Sequence, residues 1–453
     1  MPQGSSGWVR ARTGTGTSWH ARGQSWGPIA VTKRPWDGSG RARPGGHLSL
    51  GARRCLVAGL LSLELGASAL ASPGDHLWTK RYDGPANRDI ANAIAVSPDG
   101  RRVFVTGESE GSGTGSDFAT VAYRGGTGAK LWTKRYDGPA NGVDGPNAIA
   151  VSPDGRRVFV TGGSDGSGTG SDYATVAYRA GTGARLWTRR YDGPANSVDY
   201  AVAIAVSPDG TKLFVTGGSD GSGTGSDYAT VAYRAGTGAR LWTRRYDGPA
   251  TDFDWAWGIA VSPGGRRVFV TGESWGSATR YDYATLAYRA GTGARLWTTR
   301  YDGPANGDDN ALAIAVSPGG TKVFVTGESW GSASLPDYAT VAYWAGTGAR
   351  LWTRRYEGPA NGYDGARAIA VSPDGRRVFV TGATLGTASY DYATVAYRAG
   401  TGARLWTRRY DPSNVDIALA IAVSSDGTKV FVTGESEGSV TGSDYATVAY
   451  SAV

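Results

Sequence analysis

The pair Leu-Trp recurs at Leu77-Trp78, Leu131-Trp132, Leu186-Trp187, Leu241-Trp242, Leu296-Trp297, Leu351-Trp352 and Leu405-Trp406, at spacings of 54 or 55 residues. A repeat of this length is one supersecondary unit that buries its apolar face only against its neighbours, so the chain must form a stacked array or a ring. Each copy holds four short β-type runs. In the third copy these are Ala203–Val206, Leu213–Thr216, Tyr228–Tyr233 and Leu241–Tyr246. They are rich in Val, Thr and aromatic residues, which suit a pleated surface packed on both faces. Turn signals separate them: Ser207-Pro-Asp-Gly210, the Gly-Ser stretch 217–226, Ala235-Gly-Thr-Gly238 and Asp247-Gly-Pro-Ala250. Most of the 71 glycines thereby find their place.

The runs are labelled A to D from an inner strand outward. The Ala-Ile-Ala-Val run suits the crowded axis of a ring, and the Trp-bearing run its rim. The pattern predicts an all-β fold: a seven-bladed β-propeller of four-stranded antiparallel blades over residues 75–453. The body opens with a D run and ends with a C run. Residues 77–82 are therefore expected to pair as the outer strand of the C-terminal blade, tying the chain ends together and leaving no terminal blade exposed.

The stretch Tyr178-Arg-Ala-Gly-Thr-Gly-Ala-Arg-Leu-Trp187 resembles the tryptophan-docking repeat of PQQ-like propellers, and Ser152-Pro-Asp-Gly-Arg-Arg-Val-Phe-Val-Thr161 resembles the turn of YVTN- and WD-type repeats. The resemblance spans roughly 77–453. It implies that Thr-Gly and the Trp four residues later lock one blade to the next, with Trp132, Trp187, Trp242, Trp297, Trp352 and Trp406 in that structural docking role. Quinoprotein dehydrogenases of this type use a vicinal Cys pair and an eight-bladed body. This sequence has neither, so no cofactor is expected.

Charge and rare residues sit at the N-terminus. Residues 1–74 hold nine Lys or Arg and two acids, leaving 38 bases and 37 acids for the rest, so the formal net charge of +8 is a leader property. It gives no reason to expect nucleic-acid binding by the body. Residues 1–50 read as a disordered or non-native extension. Residues 51–71, with Arg53-Arg54, the apolar run from Cys55 to Leu63 and Ala69-Leu70-Ala71, read as a signal peptide, so a secreted or extracytoplasmic location is expected. No run is long enough to span a membrane. From Leu77 onward there is no His, Cys or Met, which removes Ser-His-Asp and Cys-His catalysis and His- or Cys-ligated metals.

In a four-strand meander the A–B and C–D turns share one end, and the B–C and D–A loops share the other. The latter loops carry 31 acids and three bases, Arg88, Arg280 and Arg367. One mouth should thus be acidic, while the opposite end and the basic outer strands serve solubility and rim protection. Departures from the repeat mark individual surfaces. Trp255 and Trp257 fall in one D–A loop, Trp275 in the B–C loop of the same blade, and Trp330 at the equivalent place in the next. With Asp252, Asp254, Asp308 and Asp309 they form the candidate ligand-binding constellation, suited to a glycan or a protein surface. The bland reading is that Trp257 is core and the others fill gaps between blades. Trp344 replaces the usual Arg near the opposite end.

Two chemical readings stand beside this. Asp165 to Asp172, repeated at Asp220 to Asp227, has the alternating oxygen side chains of a calcium loop without its closing Glu. Paired acids such as Asp308-Asp309 suit glycoside chemistry in principle. The Asp before each C run (Asp117, Asp172, Asp227, Asp282, Asp337, Asp391, Asp444) recurs in every copy and reads as a strand or turn cap. The overall expectation is an exported, monomeric, non-catalytic propeller that binds a protein or glycan. The alternative is a lyase- or hydrolase-like enzyme using mouth carboxylates or a divalent ion, recognisable by acids of different blades meeting within metal-ligand distance in a concave, partly apolar pocket at the channel mouth.

Overall fold

The computed structural model describes residues 77–452 apart from 87, 332–334, 387–388, 413–414 and 439–441. The extension 1–50 and the signal segment 51–71 lie outside the described residues. The described chain is all β, without helices, and forms seven antiparallel sheets following one another round a ring. Blades 1 to 6 span Asp89–Tyr136, Asp144–Tyr191, Asp199–Tyr246, Asp254–Tyr301, Asp309–Tyr356 and Asp364–Tyr410. Each has four strands in the order A–B–C–D. Blade 7, Asp416–Ser451, is an A–B–C sheet.

The core lies between blades. Phe159, Tyr173, Ala177, Trp187 and Tyr191 of blade 2 pack against Leu213, Val215, Ala229, Val231, Tyr233 and Ala235 of blade 3, and the same cluster recurs at successive joints. The docking role implied by the resemblance is visible atom by atom. Trp187 Nε1 donates to Ala235 O at 3.1 Å, and its ring lies 6.1 Å from Tyr233. Gly238 has φ +68°, and a Cβ there would fall 2.7 Å from the Trp187 ring. Only glycine both turns the chain and leaves room for the indole. Trp132, Trp242, Trp297 and Trp352 donate in the same way to Ala180, Ala290, Ala345 and Ala399, at 3.0–3.1 Å. Trp406 lies 6.0 Å from Tyr450 of blade 7.

The N-terminal run departs from the expectation. Residues 77–82 join no sheet, and blade 7 keeps three strands. Yet the run makes the side-chain contacts of a D strand with blade 1: Trp78 Nε1 donates to Gly125 O at 2.7 Å, and Arg135 Nη1 reaches Tyr82 Oη at 3.5 Å. On blade 7 the matching face is open, with Tyr445 84% exposed where Tyr173 and Tyr283 are fully buried, and Phe431 39% exposed. Blade 1 correspondingly presents a groove of about 230 Å³ lined by Trp78, Ile94, Val103, Val121 and Tyr123.

Candidate functional site

Every inner strand carries a bulge, for example between Ala256 and Gly258 in blade 4. A bulge re-aims its extra residue. In blades 1, 2, 4 and 6 that residue is Asn92, Asn147, Trp257 and Arg367. Asn92 and Asn147 donate to the next blade's Pro146 O and Ala201 O. Trp257 is half-buried on the inner strand rather than core.

Blade 4 gathers the unshared aromatics. Trp255 stacks on Phe253 with centroids 5.4 Å apart and planes 6° apart, and lies 6.2 Å from Trp257. Phe253 meets Tyr281 edge-on at 5.9 Å, and Tyr281 meets Trp275 at 4.7 Å. One continuous series thus runs Trp257–Trp255–Phe253–Tyr281–Trp275. Room for it comes from the neighbouring blade, where Gly218 lies under the Trp255 ring and any Cβ would collide. The Trp255 indole N–H is buried without a hydrogen-bond partner, a group that a ligand acceptor can satisfy. Trp330 sits one blade along, its backbone N–H bound to Asp309 at 3.1 Å, and is not stacked into this series.

The candidate acids divide. Asp252 is exposed beside the aromatics. Asp308 pairs with Arg280 at 3.1 Å. Asp254 and Asp309 are fully buried, and each accepts the amide of the Asp-Gly-Pro turn, Gly248 and Gly303, at 2.5 Å. Asp144, Asp199 and Asp364 do the same in their own blades, so this is a feature of the repeat rather than of one surface. Burial pushes the carboxyls of Asp199, Asp254 and Asp309 up to about 6.

The mouth also holds groups that the sequence reading passed over. Glu273, beside Trp257, has its carboxyl pushed up to about 8, chiefly by desolvation and further by Glu328 and Asp308; the Trp257 indole holds the shift back. Glu328 pairs with Arg367 at 3.0 Å and accepts the Tyr363 hydroxyl; Arg367 also donates to Tyr363 Oη at 2.9 Å. With Arg88 3.9 Å from Glu108, all three bases of the acidic loops are paired. A signal existed in the sequence: the position two after the second-strand Thr alternates between Glu108, Gly163, Gly218, Glu273, Glu328, Ala383 and Glu435. It is glycine where the next blade supplies Tyr200 or Trp255.

The paired bases of the outer strands do more than protect the rim. Arg190 donates to Asp172 at 2.8 Å, to Ser164 O at 2.7 Å and to Tyr136 Oη of the preceding blade at 3.2 Å. Blades 1 and 3 to 5 repeat the pair through Arg135, Arg245, Arg300 and Arg355. Arg189 reaches Gly238 O and Thr237 O of the next blade at 2.8 and 3.1 Å. In blades 1 to 6 the recurrent Asp before strand C is therefore an ion-pair anchor, at Asp117, Asp172, Asp227, Asp282, Asp337 and Asp391. The calcium-loop reading of Asp165 and Asp220 gives way as well, because these carboxylates accept the Val143 and Val198 amides and the loop is a tight hairpin.

Comparison with known proteins agrees with this architecture. The family model described as outer membrane protein assembly factor BamB (PQQ_2) matches residues 66–230, 227–383 and 287–447. The chain belongs to this family of PQQ-like repeat propellers. Among solved structures it is similar to Kuenenia stuttgartiensis hydrazine synthase, with TM-score 0.52, 13% identity, and 82% of this chain and 100% of that one covered. It is also similar to Chaetomium thermophilum Sqt1 bound to the N-terminus of ribosomal protein L10, with TM-score 0.51, 14% identity and coverage of 76% and 82%. BamB from Moraxella catarrhalis gives TM-score 0.46 at 15% identity, covering 76% of this chain and 82% of that one. No curated protein sequence matches. At these identities the structural likeness speaks for the fold alone.

Proposed function

We propose that the protein is an exported, non-catalytic propeller scaffold that binds a protein or glycan through the aromatic shelf of blade 4 on its acidic mouth. The observation that carries this is the aromatic series Trp257–Trp255–Phe253–Tyr281–Trp275, found in one blade of seven, half-buried rather than core, and set among loop acids. Aromatic faces beside carboxylates suit both a sugar ring and a hot spot for a basic protein segment. Sqt1, a propeller of the same fold, holds the N-terminus of a ribosomal protein, which makes a peptide segment a natural occupant. No helix among the described residues is long and apolar enough to cross a membrane. The test is to screen the full chain against glycan and basic-peptide arrays, then repeat with Trp255→Ala and Trp275→Ala. A ligand whose affinity falls about tenfold or more supports the reading; if neither variant changes the binding of any ligand, it fails.

A second reading has one observation in its favour. Glu273 holds a proton near neutral pH at the acidic mouth, which suits a general acid. A lyase- or hydrolase-like activity lost in Glu273→Gln while array binding is retained would favour it over the scaffold.

A further inference from the structure

We propose that the basic end of the ring, opposite the mouth, docks on an anionic lipid bilayer, with blades 4 and 5 forming the contact and Trp344 entering the headgroup layer. The A–B and C–D turns of that end hold 22 bases and five acids. The two kinds of turn lie together, since each C–D turn donates an amide to the A–B turn of its own blade, as Ala290 N does to Arg266 O and Ala345 N to Thr321 O, both at 2.9 Å. Successive A–B turns also touch: a Cβ on Gly320 would fall 3.3 Å from Pro263 Cδ, and one on Gly375 3.3 Å from Pro318 Cδ. The bases are thus spread over one continuous end of the ring, an arrangement that meets a planar array of negative charge.

Two features of this end are unfavourable for the fold by itself. Strands B and C set bases directly opposite one another at their ends, as with Arg157 and Arg179, Lys212 and Arg234, and Arg267 and Arg289. Like charges in directly opposed cross-strand positions are destabilising, and an anionic surface relieves that repulsion. The second feature is the loss of acids from two adjacent blades. In blades 1, 2, 3, 6 and 7 the A–B turn carries Asp99, Asp154, Asp209, Asp374 or Asp426. Each accepts the hydroxyl of the Ser two residues earlier and a backbone amide at 2.9–3.1 Å, a favourable turn arrangement. Blades 4 and 5 have Gly264 and Gly319 at this position. A Cβ at either would meet nothing within 4 Å, and neither glycine has a positive φ, so neither space nor backbone demands glycine there.

The result is a sector of bases without an acid. Arg266, Arg289, Arg295 and Arg350 are exposed, Arg267 and Lys322 are half-buried, and none of the six makes an ion pair among the described residues. In the same sector Trp344 takes the place of a base opposite Lys322; it is 45% exposed, with the ammonium 5.8 Å from its ring centroid. An exposed indole among Lys and Arg is the side-chain set of a membrane interface, where the ring sits at headgroup level and the long basic chains reach the phosphates. A nucleic-acid strand would meet the same charges, but the bases surround the axis of the ring instead of tracking one groove, which favours the bilayer. Docked this way, the ring turns its acidic mouth away from the membrane, and the docking is independent of what the shelf binds.

The experiment is co-sedimentation of the full chain with vesicles of phosphatidylcholine alone and of phosphatidylcholine and phosphatidylglycerol in equal parts. Because residues 1–74 are basic as well, the comparison between variants carries the result. Gly264→Asp/Gly319→Asp restores the turn that the other blades use and should fold with an unchanged or higher Tm. A charge at the surface changes the affinity about fivefold, so this variant should bind the anionic vesicles about tenfold or more weakly. The matched control Asn196→Asp/Asn361→Asp adds the same charge at the acidic end, at exposed positions whose positive φ Asp tolerates, and should bind like the parent. Quenching of tryptophan emission by brominated phosphatidylglycerol should fall in Trp344→Phe. The proposal is overturned if the parent does not bind the anionic vesicles, including the case in which it binds DNA instead. Equal affinities of the two double variants, or quenching unchanged by Trp344→Phe, overturn it as well.

Discussion

At the residue scale, two positions show how a single atom fixes the fold and the mouth. Gly238 combines a left-handed backbone with direct contact to the Trp187 ring, so Gly238→Ala meets both a steric and a conformational penalty. Urea unfolding should register a loss of about 2–4 kcal/mol. Glu273 behaves oppositely to a paired surface acid. Its carboxyl is raised to about 8 from 4.5, so the native state holds its proton more tightly than the unfolded chain. Its contribution to stability is complete below about pH 4.5 and is lost as pH rises towards 8. Glu273→Gln should flatten that limb of the stability–pH curve and raise Tm relative to the parent at pH 8, with little difference at pH 4. Equal curves for both proteins would show that Glu273 is not desolvated.

At the scale of strands and blades, most of the architecture was legible because the repeat states it seven times. The four runs and their order follow from local rules that each copy obeys, and the Trp-Gly docking was implied by the resemblance to PQQ-like repeats. What the sequence hid was the destination of the charges. A run such as Trp-Thr-Arg-Arg-Tyr looks like a solvated rim, yet Arg190 and Arg245 reach back across their sheets to Asp172 and Asp227 and on to a tyrosine of the blade before. Those partners are 18 and 54 residues away, beyond any local pattern. Removing one member of such a buried pair strands the other, so Arg245→Ala should cost about 3–5 kcal/mol, read as a fall in the urea midpoint without change in slope. Asp254 and Asp309 were misleading for the same reason. As sequence they are acids near tryptophans, but as structure they are the turn anchors every blade needs. Phe253 breaks the repeat as clearly as the tryptophans do, and the shelf with Tyr281 became visible as a surface only once the bulged inner strand and the bare Gly218 set these rings side by side.

At the scale of the whole molecule, successive joints from blade 1 to blade 7 bury apolar faces of one composition, while Trp78 and Tyr82 of the N-terminal run contact blade 1 and the free face of blade 7 leaves Tyr445 and Phe431 exposed. Blade 7 should accordingly be the first to open, and native-state hydrogen exchange should show its amides exchanging through a lower free energy than those of blades 2 to 5. Uniform protection across the ring would contradict this. The ring is otherwise nearly uniform, with individuality concentrated on blade 4 and its neighbours at the acidic end, and binding is assigned to that asymmetry. The most direct test compares two tryptophans on the two ends: Trp255 in the shelf, and Trp344, 45% exposed beside Lys322 at the other end. On the same glycan and basic-peptide arrays, Trp255→Ala should weaken the bound ligands about tenfold or more while Trp344→Ala leaves them unchanged. Equal behaviour of the two variants would contradict the account.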